Sequence, residues 1–357
     1  MAETARPTVA VFGAGSIGCH LGGALAAVAD VTLIGRAPAM DVLRARGLTF
    51  SRAGRAPRRI GPDELRLATG PDAAGDADFV LVTVKTAATA EAGRQLAPHL
   101  RSDAVVVSFQ NGLHNPDTLR AELPGRTVLA GMVPYNVVQT GPGTVHQGMP
   151  GTLMVEQAAS AQELIRLCTA AGLSVEARGD MREVQYGKLL LNLNNAVNAL
   201  SGLPLREQLG LRAYRLCLAL CQREALAVYR AAGLRPAKLG PVPAAITPYV
   251  LRLPDALFRR VAASTLDIDA QARSSMWEDL QRGRLTEIDS LQGEIVALAA
   301  RHGVPAPANT CLTGLVHEAE TAPEAVSWTG DRLLDRVRSA SRARTGPGTP
   351  TEGASGR

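Results

Sequence analysis

A chain of 357 residues, 46% of them hydrophobic, can bury a substantial core, and by length it holds two domains more readily than one. No apolar run approaches the roughly 18–20 residues of a membrane-spanning helix, and the start MAETARPTVAVFGAGSIG lacks the charged start, apolar centre and cleavage site of a signal peptide; a soluble, cytoplasmic protein without a membrane partner is expected. The formal charge of +5 lies partly in an Arg-rich C-terminal run, and with 3% aromatic residues and no recognisable nucleic-acid module it argues against a DNA or RNA partner.

From residue 8 to about 175, short β-rich runs (TVAVF, VTLIG, DFVLVTV, AVVVSF, RTVLAGMV) alternate with Ala- and Leu-rich segments. That alternation predicts a mainly parallel sheet covered by helices. Further β-prone pieces, TVHQG, GTLMVEQ and LSVEARG, are expected to extend the sheet, with antiparallel strands at its edge. The first strand runs directly into Gly13-Ala14-Gly15-Ser16-Ile17-Gly18 and then a helical stretch. In that context the first glycine permits a tight turn, the second lets backbone approach a pyrophosphate, and the third allows close helix packing, while the helix N-terminus faces the phosphates. This is the pattern of a Rossmann-type dinucleotide site; the alternative is a glycine-rich turn without a ligand. The second strand ends Leu33-Ile34-Gly35-Arg36, with no acid for the ribose hydroxyls and an arginine available for a phosphate, so NADP(H) is favoured over NAD(H). The alternative for Arg36 is a solvated loop residue.

Two later strands end in Thr83-Val84-Lys85 and Gln110-Asn111-Gly112, putting polar groups at strand C-termini, where open α/β sheets bind ligands. An ordinary surface lysine and an ordinary turn explain the same residues equally well. After about residue 180 the pattern changes to long helices, and Gly233 and Gly303, with Pro236 and Pro305 close behind, read as helix stops. In the first of these helices asparagine recurs, although it is a poor helix former and costly to bury unpaired. Lys188, Asn192 and Asn195 fall at i, i+4 and i+7, one face that presents an ammonium and two amides to a small polar ligand. A solvent-facing stripe opposite a leucine face is the alternative.

Cys217 and Cys221 lie four apart in the next helix; with Cys19, Cys168 and Cys311 they make an odd five without the close pairs of zinc or redox sites, so buried thiols and no metal are expected. Farther on, Ser274-Ser275-Met276-Trp277-Glu278-Asp279 precedes a loop and then Thr286-Glu287-Ile288-Asp289, read as a capping box with Thr286 at the N-cap and Asp289 at N3. Glu287 then stands at N1, where it either complements the helix dipole or is free for another task. The final run, rich in Arg, Ser, Gly and Pro, is expected to be disordered.

In their order, GAGSIG, the VTVK strand, FQNG, the KLLLN helix, and SSMWEDLQRGRLTEID followed by HGVPAPANT make the sequence resemble the ketopantoate reductase (2-dehydropantoate 2-reductase) family from about residue 8 to about residue 320. The resemblance implies a catalytic lysine at Lys188 that protonates the carbonyl oxygen while NADPH delivers hydride to the adjacent carbon. It implies substrate contacts at Asn111, Asn192 and Ser275, with Asn111 also touching the cofactor. Glu287 corresponds to a glutamate that helps hold both cofactor and substrate. Gly13, Ala14, Gly15, Ser16, Ile17, Gly18, Arg36 and Lys85 correspond to cofactor contacts. The chain departs from the family where a second asparagine often stands eight residues after the lysine: here it has Ala196, and Asn195 is the weaker stand-in.

The expected organisation is an α/β N-terminal Rossmann-type domain over 1–178, a mainly α-helical substrate and catalytic domain over 179–338, and a tail over 339–357. The expected activity is NADPH-dependent reduction of ketopantoate to pantoate, as in pantothenate and coenzyme A biosynthesis, with a homodimer as the assembly that the long helices allow. Its rivals are a reductase of another 2-oxo acid and a non-catalytic NADPH-binding regulator.

Overall fold

The computed structural model describes residues 6–52, 55–263, 269, 272–322 and 327–343. Its strands are β1 (Thr8–Phe12), β2 (Asp30–Ile34), β3 (Leu48–Arg52), β4 (Arg55–Ile60), β5 (Arg66–Ala68), β6 (Phe79–Val82), β7 (Val105–Ser108), β8 (Thr127–Met132), β9 (Val137–Gly141), β10 (Thr144–Gln147), β11 (Leu153–Glu156) and β12 (Val175–Arg178). The helices among and after them are α1 (Ser16–Leu25), α2 (Ala37–Arg46), α3 (Thr89–Leu96), α4 (Asn115–Glu122) and α5 (Gln162–Ala170). From there the chain is helical: α6 (Met181–Asn192), α7 (Asn194–Ser201), α8 (Leu205–Gly210), α9 (Arg212–Ala231), α10 (Thr247–Leu251), α11 (Asp255–Val261), α12 (Ser275–Gln281), α13 (Ile288–Arg301), α14 (Pro307–Thr321) and α15 (Gly330–Ala343).

The main sheet has eight strands in the order β12-β11-β8-β7-β6-β1-β2-β5. Its pairs are parallel except β11 with β8, so the antiparallel edge expected from GTLMVEQ is present. Helices cover both faces, which is why the central strands are continuous apolar runs. Along β1, Val9 and Val11 enter the core on one face while Ala10 and Phe12 enter the core on the other; Phe79 and Leu81 of β6 alternate in the same way with Val80 and Val82. The chain leaves β1 for β2 on one side and returns for β6 on the other, opening a crevice at the C-terminal ends of β1 and β6.

The piece TVHQG does not extend this sheet. As β10 it joins a second, four-stranded sheet ordered β4-β3-β10-β9, of which β3, β4 and β9 were not anticipated. The reason is a buried helix between two layers. From Gly18 to Leu25 every residue of α1 is buried, and a methyl group on Gly23 would come within 2.9 Å of both Leu48 and Phe50 of β3. A helix apolar all round needs cover on all sides, and the small sheet supplies what the large one does not. His20, fully buried between Phe50 and Tyr135, is pushed down to about 4 by burial, so it is a neutral ring of this layer.

After β12 the core changes. Met181 and Val184 at the start of α6 pack on Ala130 and Met132 of β8, and a separate apolar core then forms around α9. Tyr214, Cys217, Leu218, Cys221, Ala225 and Val228 make a stripe at helical spacing along α9, buried against α7, α13, α14 and α15. All five cysteines are free thiols, and Cys311 is the one not fully buried. Gly233 and Gly303 end their helices at φ +68° and +63°, as anticipated. The Arg-rich end is not structureless throughout: α15 continues to Ala343, placing 339–343 in a helix, because Leu333, Leu334 and Val337 bury one of its faces. Residues 344–357 lie outside the described residues.

Candidate active site

The crevice is lined first by the glycine turn between β1 and α1. Gly13 has φ +110°, and a methyl group on it would stand 2.7 Å from the Val84 nitrogen; one on Gly18 would stand 2.4 Å from the Gly13 carbonyl oxygen. Those two glycines are demanded by packing. Gly15 differs: it is exposed and has nothing nearer than 4.0 Å, so its glycine leaves room for something other than protein. The turn is anchored on both sides, by Gly13 and Ala14 N–H groups donating to Ile34 O at 2.9 and 3.0 Å and by Thr83 Oγ1 donating to Gly13 O at 2.7 Å. Beyond β2, Arg36 is exposed as the N-cap of α2, and its guanidinium has no hydrogen bond or ion pair among the described residues. An open glycine at a ten-residue helix start and a free guanidinium one strand away fit a dinucleotide carrying an extra phosphate.

The ends of β6 and β7 meet the helical half of the chain in one hydrogen-bonded cluster. Asn192 Nδ2 donates to Asn111 Oδ1 at 3.3 Å, and Asn111 Nδ2 donates to Glu287 Oε2 at 3.3 Å. The other oxygen of Glu287 accepts from Thr86 N and Thr86 Oγ1, both at 3.1 Å. Thr86 Oγ1 lies 2.8 Å from Asn111 O, which also receives Asn115 Nδ2. Gln110 braces the two strand ends, donating to Val84 O at 2.9 Å and Thr89 Oγ1 at 2.7 Å. One helical turn before Asn192 stands Lys188, partly buried and without an acceptor among the described residues. Burial pulls its ammonium down to about 8.

Several details differ from the sequence reading. The asparagine-rich helix is two helices: α6 ends at Asn192 and α7 begins at Asn194, while Gln292 Nε2 donates to Leu193 O at 2.7 Å and Gln222 Nε2 to Leu190 O at 3.1 Å. The i+7 relation between Lys188 and Asn195 was counted along an unbroken helix. Asn195 is half-buried; its carbonyl accepts from Ser274 Oγ at 3.3 Å, and its amide does not join the cluster. The solvent-facing alternative fails for the other asparagines, since Asn192, Asn194 and Asn198 are buried and Leu191 is the residue turned outward at 47% exposure. Ser275 is exposed at the first turn of α12, while its neighbour Ser274 is the buried N-cap, accepting from Trp277 N at 3.2 Å.

The predicted capping box at α13 is displaced by one residue. Glu287 itself holds the N-cap position; Thr286 Oγ1 accepts from Ile288 N at 3.2 Å, and Asp289 turns to His317 instead. Glu287 is therefore not spent on its own helix and crosses to Thr86. Lys85, expected at the cofactor, has its Nζ 2.6 Å from Asp279 Oδ2 and 3.3 Å from Leu285 O. Sequence reasoning passed over Thr86, Asn115, Gln292 and Asp279. Only Asp279 carried a signal, four residues after Ser275 on one helix face.

Two family models account for most of the chain: ketopantoate reductase PanE/ApbA matches residues 9–160, and its C-terminal counterpart matches residues 180–320. The chain belongs to the ketopantoate reductase family. The family is one of nicotinamide-dependent oxidoreductases, and its two-part α/β and helical fold is the one described above. A 2-dehydropantoate 2-reductase of Halobacterium salinarum is 29% identical over 320 residues, covering 87% of this chain and 98% of that protein. The crystal structure of a PanE/ApbA family ketopantoate reductase from Ralstonia eutropha JMP134 superposes with a TM-score of 0.74 at 32% identity, covering 88% of this chain and 98% of that one. A ternary structure of D-mandelate dehydrogenase with NADH and anilino(oxo)acetate shares the fold at a TM-score of 0.73 and 20% identity, covering 88% and 98%. Among the described residues no helix is long and apolar enough to cross a membrane, and no three His, Cys, Asp or Glu side chains gather as a metal site needs.

Proposed function

We propose that this chain reduces 2-dehydropantoate (ketopantoate) to pantoate with NADPH, and that Lys188 is the general acid. The observation that carries the reading is an unpaired, partly buried lysine one turn from Asn192, beside a crevice whose glycine turn and free arginine fit the nucleotide. The nicotinamide, when bound, supplies the hydride to the substrate's C2. Lys188 donates the proton that turns the carbonyl oxygen into a hydroxyl, and with its acidity near 8 it is charged at neutral pH yet gives the proton up readily. Asn192 and Asn111, already bonded to one another, orient the 2-oxo acid beside it. Glu287, fixed by Thr86, holds Asn111 in register. Ser275, exposed at the first turn of α12, receives the substrate carboxylate at a helix start of favourable sign. Arg36 takes the phosphate that distinguishes NADPH from NADH.

A second reading, another 2-oxo acid as substrate, is favoured by Ala196, fully buried where the family resemblance implies an asparagine. It keeps the reaction and changes the group that reads the distal end of the substrate. Loss of NADPH absorbance with purified protein and ketopantoate, beside NADH and a panel of other 2-oxo acids, separates the readings. Turnover with ketopantoate and NADPH is the expected result. Activity confined to another acid replaces the substrate and keeps the mechanism, whereas nucleotide binding with no turnover on the whole panel defeats the enzymatic reading.

A further inference from the structure

Asp279 is a charged, largely buried residue to which the mechanism above gives no part. It lies on α12 one turn after Ser275, with its side chain 10% exposed. A carboxylate so placed is costly unless paired, and the ammonium that faces it is Lys85, 2.6 Å from Oδ2. Lys85 follows β6 at the mouth of the crevice, its side chain 44% exposed. Its Nζ also donates to Leu285 O at 3.3 Å, in the loop between α12 and α13. An ammonium has three donors, so two are engaged by the helical half and one remains. The next residue, Thr86, is gripped by Glu287 from the same loop, which fixes the backbone that carries Lys85.

We infer that Asp279 is a positioning residue for the nucleotide: it holds the Lys85 ammonium at the crevice, with one N–H left for an oxygen of the incoming cofactor. The inference rests on the proposed reading of Lys85 as a cofactor contact. An exposed lysine otherwise samples many rotamers, and ordering it would weaken nucleotide binding; a partner that orders it beforehand removes that loss. The opposite role, Asp279 as a competitor that must release Lys85, is disfavoured by its burial. If Lys85 left, a carboxylate would stay behind unpaired in a site with little water. Burial already pushes the Asp279 carboxyl up, against the pull of Lys85.

The test measures the NADPH dissociation constant, KM and kcat for the full chain and for Lys85→Met, Asp279→Asn, Asp279→Glu and the Lys85→Met/Asp279→Asn double variant. Asp279→Asn is expected to raise the NADPH dissociation constant and KM about tenfold, the scale of one charge-assisted hydrogen bond, with kcat within about twofold. Asp279→Glu recovers part of the loss, and the double variant is no worse than Lys85→Met alone. Weaker binding in Lys85→Met with none in Asp279→Asn, or tighter binding in Asp279→Asn, overturns the role of Asp279 and leaves Lys85 at the cofactor. No effect of Lys85→Met overturns both. Loss of thermal stability and kcat without a nucleotide effect means that Asp279 is merely structural, which also overturns the inference. Should Asp279→Asn not fold, Asp279→Glu decides: a raised NADPH KM with kcat held supports the role, and an unchanged KM ends it.

Discussion

Lys188 is held partly out of water with no counter-charge among the described residues, and that single choice has consequences for both activity and stability. Its ammonium, pulled down to about 8, is the form the proposed acid step needs, so kcat/KM should fall as the pH rises through about 8. Lys188→Ala should lower kcat by about 10²–10⁴ with the NADPH dissociation constant unchanged; near-normal turnover would remove Lys188 from the mechanism. The stability consequence has the opposite sign. Between about 8 and the usual 10.5 the unfolded chain binds more protons than the folded one, so stability rises with pH across that window and the full cost is carried below it. Lys188→Met should therefore raise the melting temperature at pH 7 while abolishing activity, a comparison that thermal melts and one assay settle. Arg36, exposed at the end of β2 and with no side-chain partner among the described residues, is expected to act on nucleotide choice alone. Arg36→Ala should raise the KM for NADPH by about 10–100-fold, the scale of one or two tenfold steps of binding energy, and leave that for NADH unchanged; equal effects on both would make Arg36 a mere loop residue.

Helix ends decide much of the geometry between the two halves. Residues of the α13 start are used outward: Glu287 reaches Thr86, and Thr286 N donates to Glu320 Oε1 at 2.7 Å. The helix α14 has the reverse arrangement, since its first N–H groups are capped by a residue of another helix. Glu224 of α9 accepts from Ala308 N, Asn309 N and Asn309 Nδ2 at 2.8, 3.0 and 2.8 Å. Burial pushes this carboxyl up, against those bonds. Removing it strands the Ala308 and Asn309 backbone N–H groups in a low-dielectric site and leaves the Asn309 amide with Cys221 O alone. Glu224→Ala is expected to cost about 2–4 kcal/mol in chemical denaturation, more than the ~1 kcal/mol of an ordinary cap, because a charged acceptor with several bonds is lost. A loss below about 1 kcal/mol would mean that water replaces the carboxylate there. At the break between α6 and α7 side chains of other helices likewise reach the backbone: Gln292 of α13 donates to Leu193 O and Gln222 of α9 to Leu190 O.

At the scale of the molecule, the helical half is pinned by Arg215, which has no exposed surface. Its guanidinium donates to Leu209 O, Gly210 O, Leu251 O and Leu253 O, pairs with Asp255 at 2.8 Å, and lies 4.1 Å above the Phe258 ring. One side chain thus closes the turn before α9 and docks α10 and α11. Arg215→Met fills most of the volume but leaves four carbonyls without their donor, so a loss above about 3 kcal/mol is expected, read by denaturation of the full chain. The same variant should leave the sheet half's nucleotide affinity within about twofold, since Arg215 belongs to a separate core.

The parallel sheet, the glycine turn, the lysine and the helix stops were legible because each depends on local chemistry: strand period, a φ that only glycine takes easily, the spacing of a helix face. TVHQG was assigned to the wrong sheet because the choice between sheets is made by what covers α1, a contact between residues far apart in the chain. The fate of the asparagines was likewise undecided in the sequence. Whether Asn192 meets Asn111, whether Asn195 shares its face, and where Glu287 points depend on Gln292, Ser274 and Thr86, each contributed by another element. The sequence by itself determined the family and the fold class, and it named the residue types of the candidate site, since those are carried by motifs with local geometry. The tertiary structure alone decided which of them touch, because hydrogen bonds over 81 to 201 residues of separation and the loss of water around Lys188 exist only once the two halves have closed on one another.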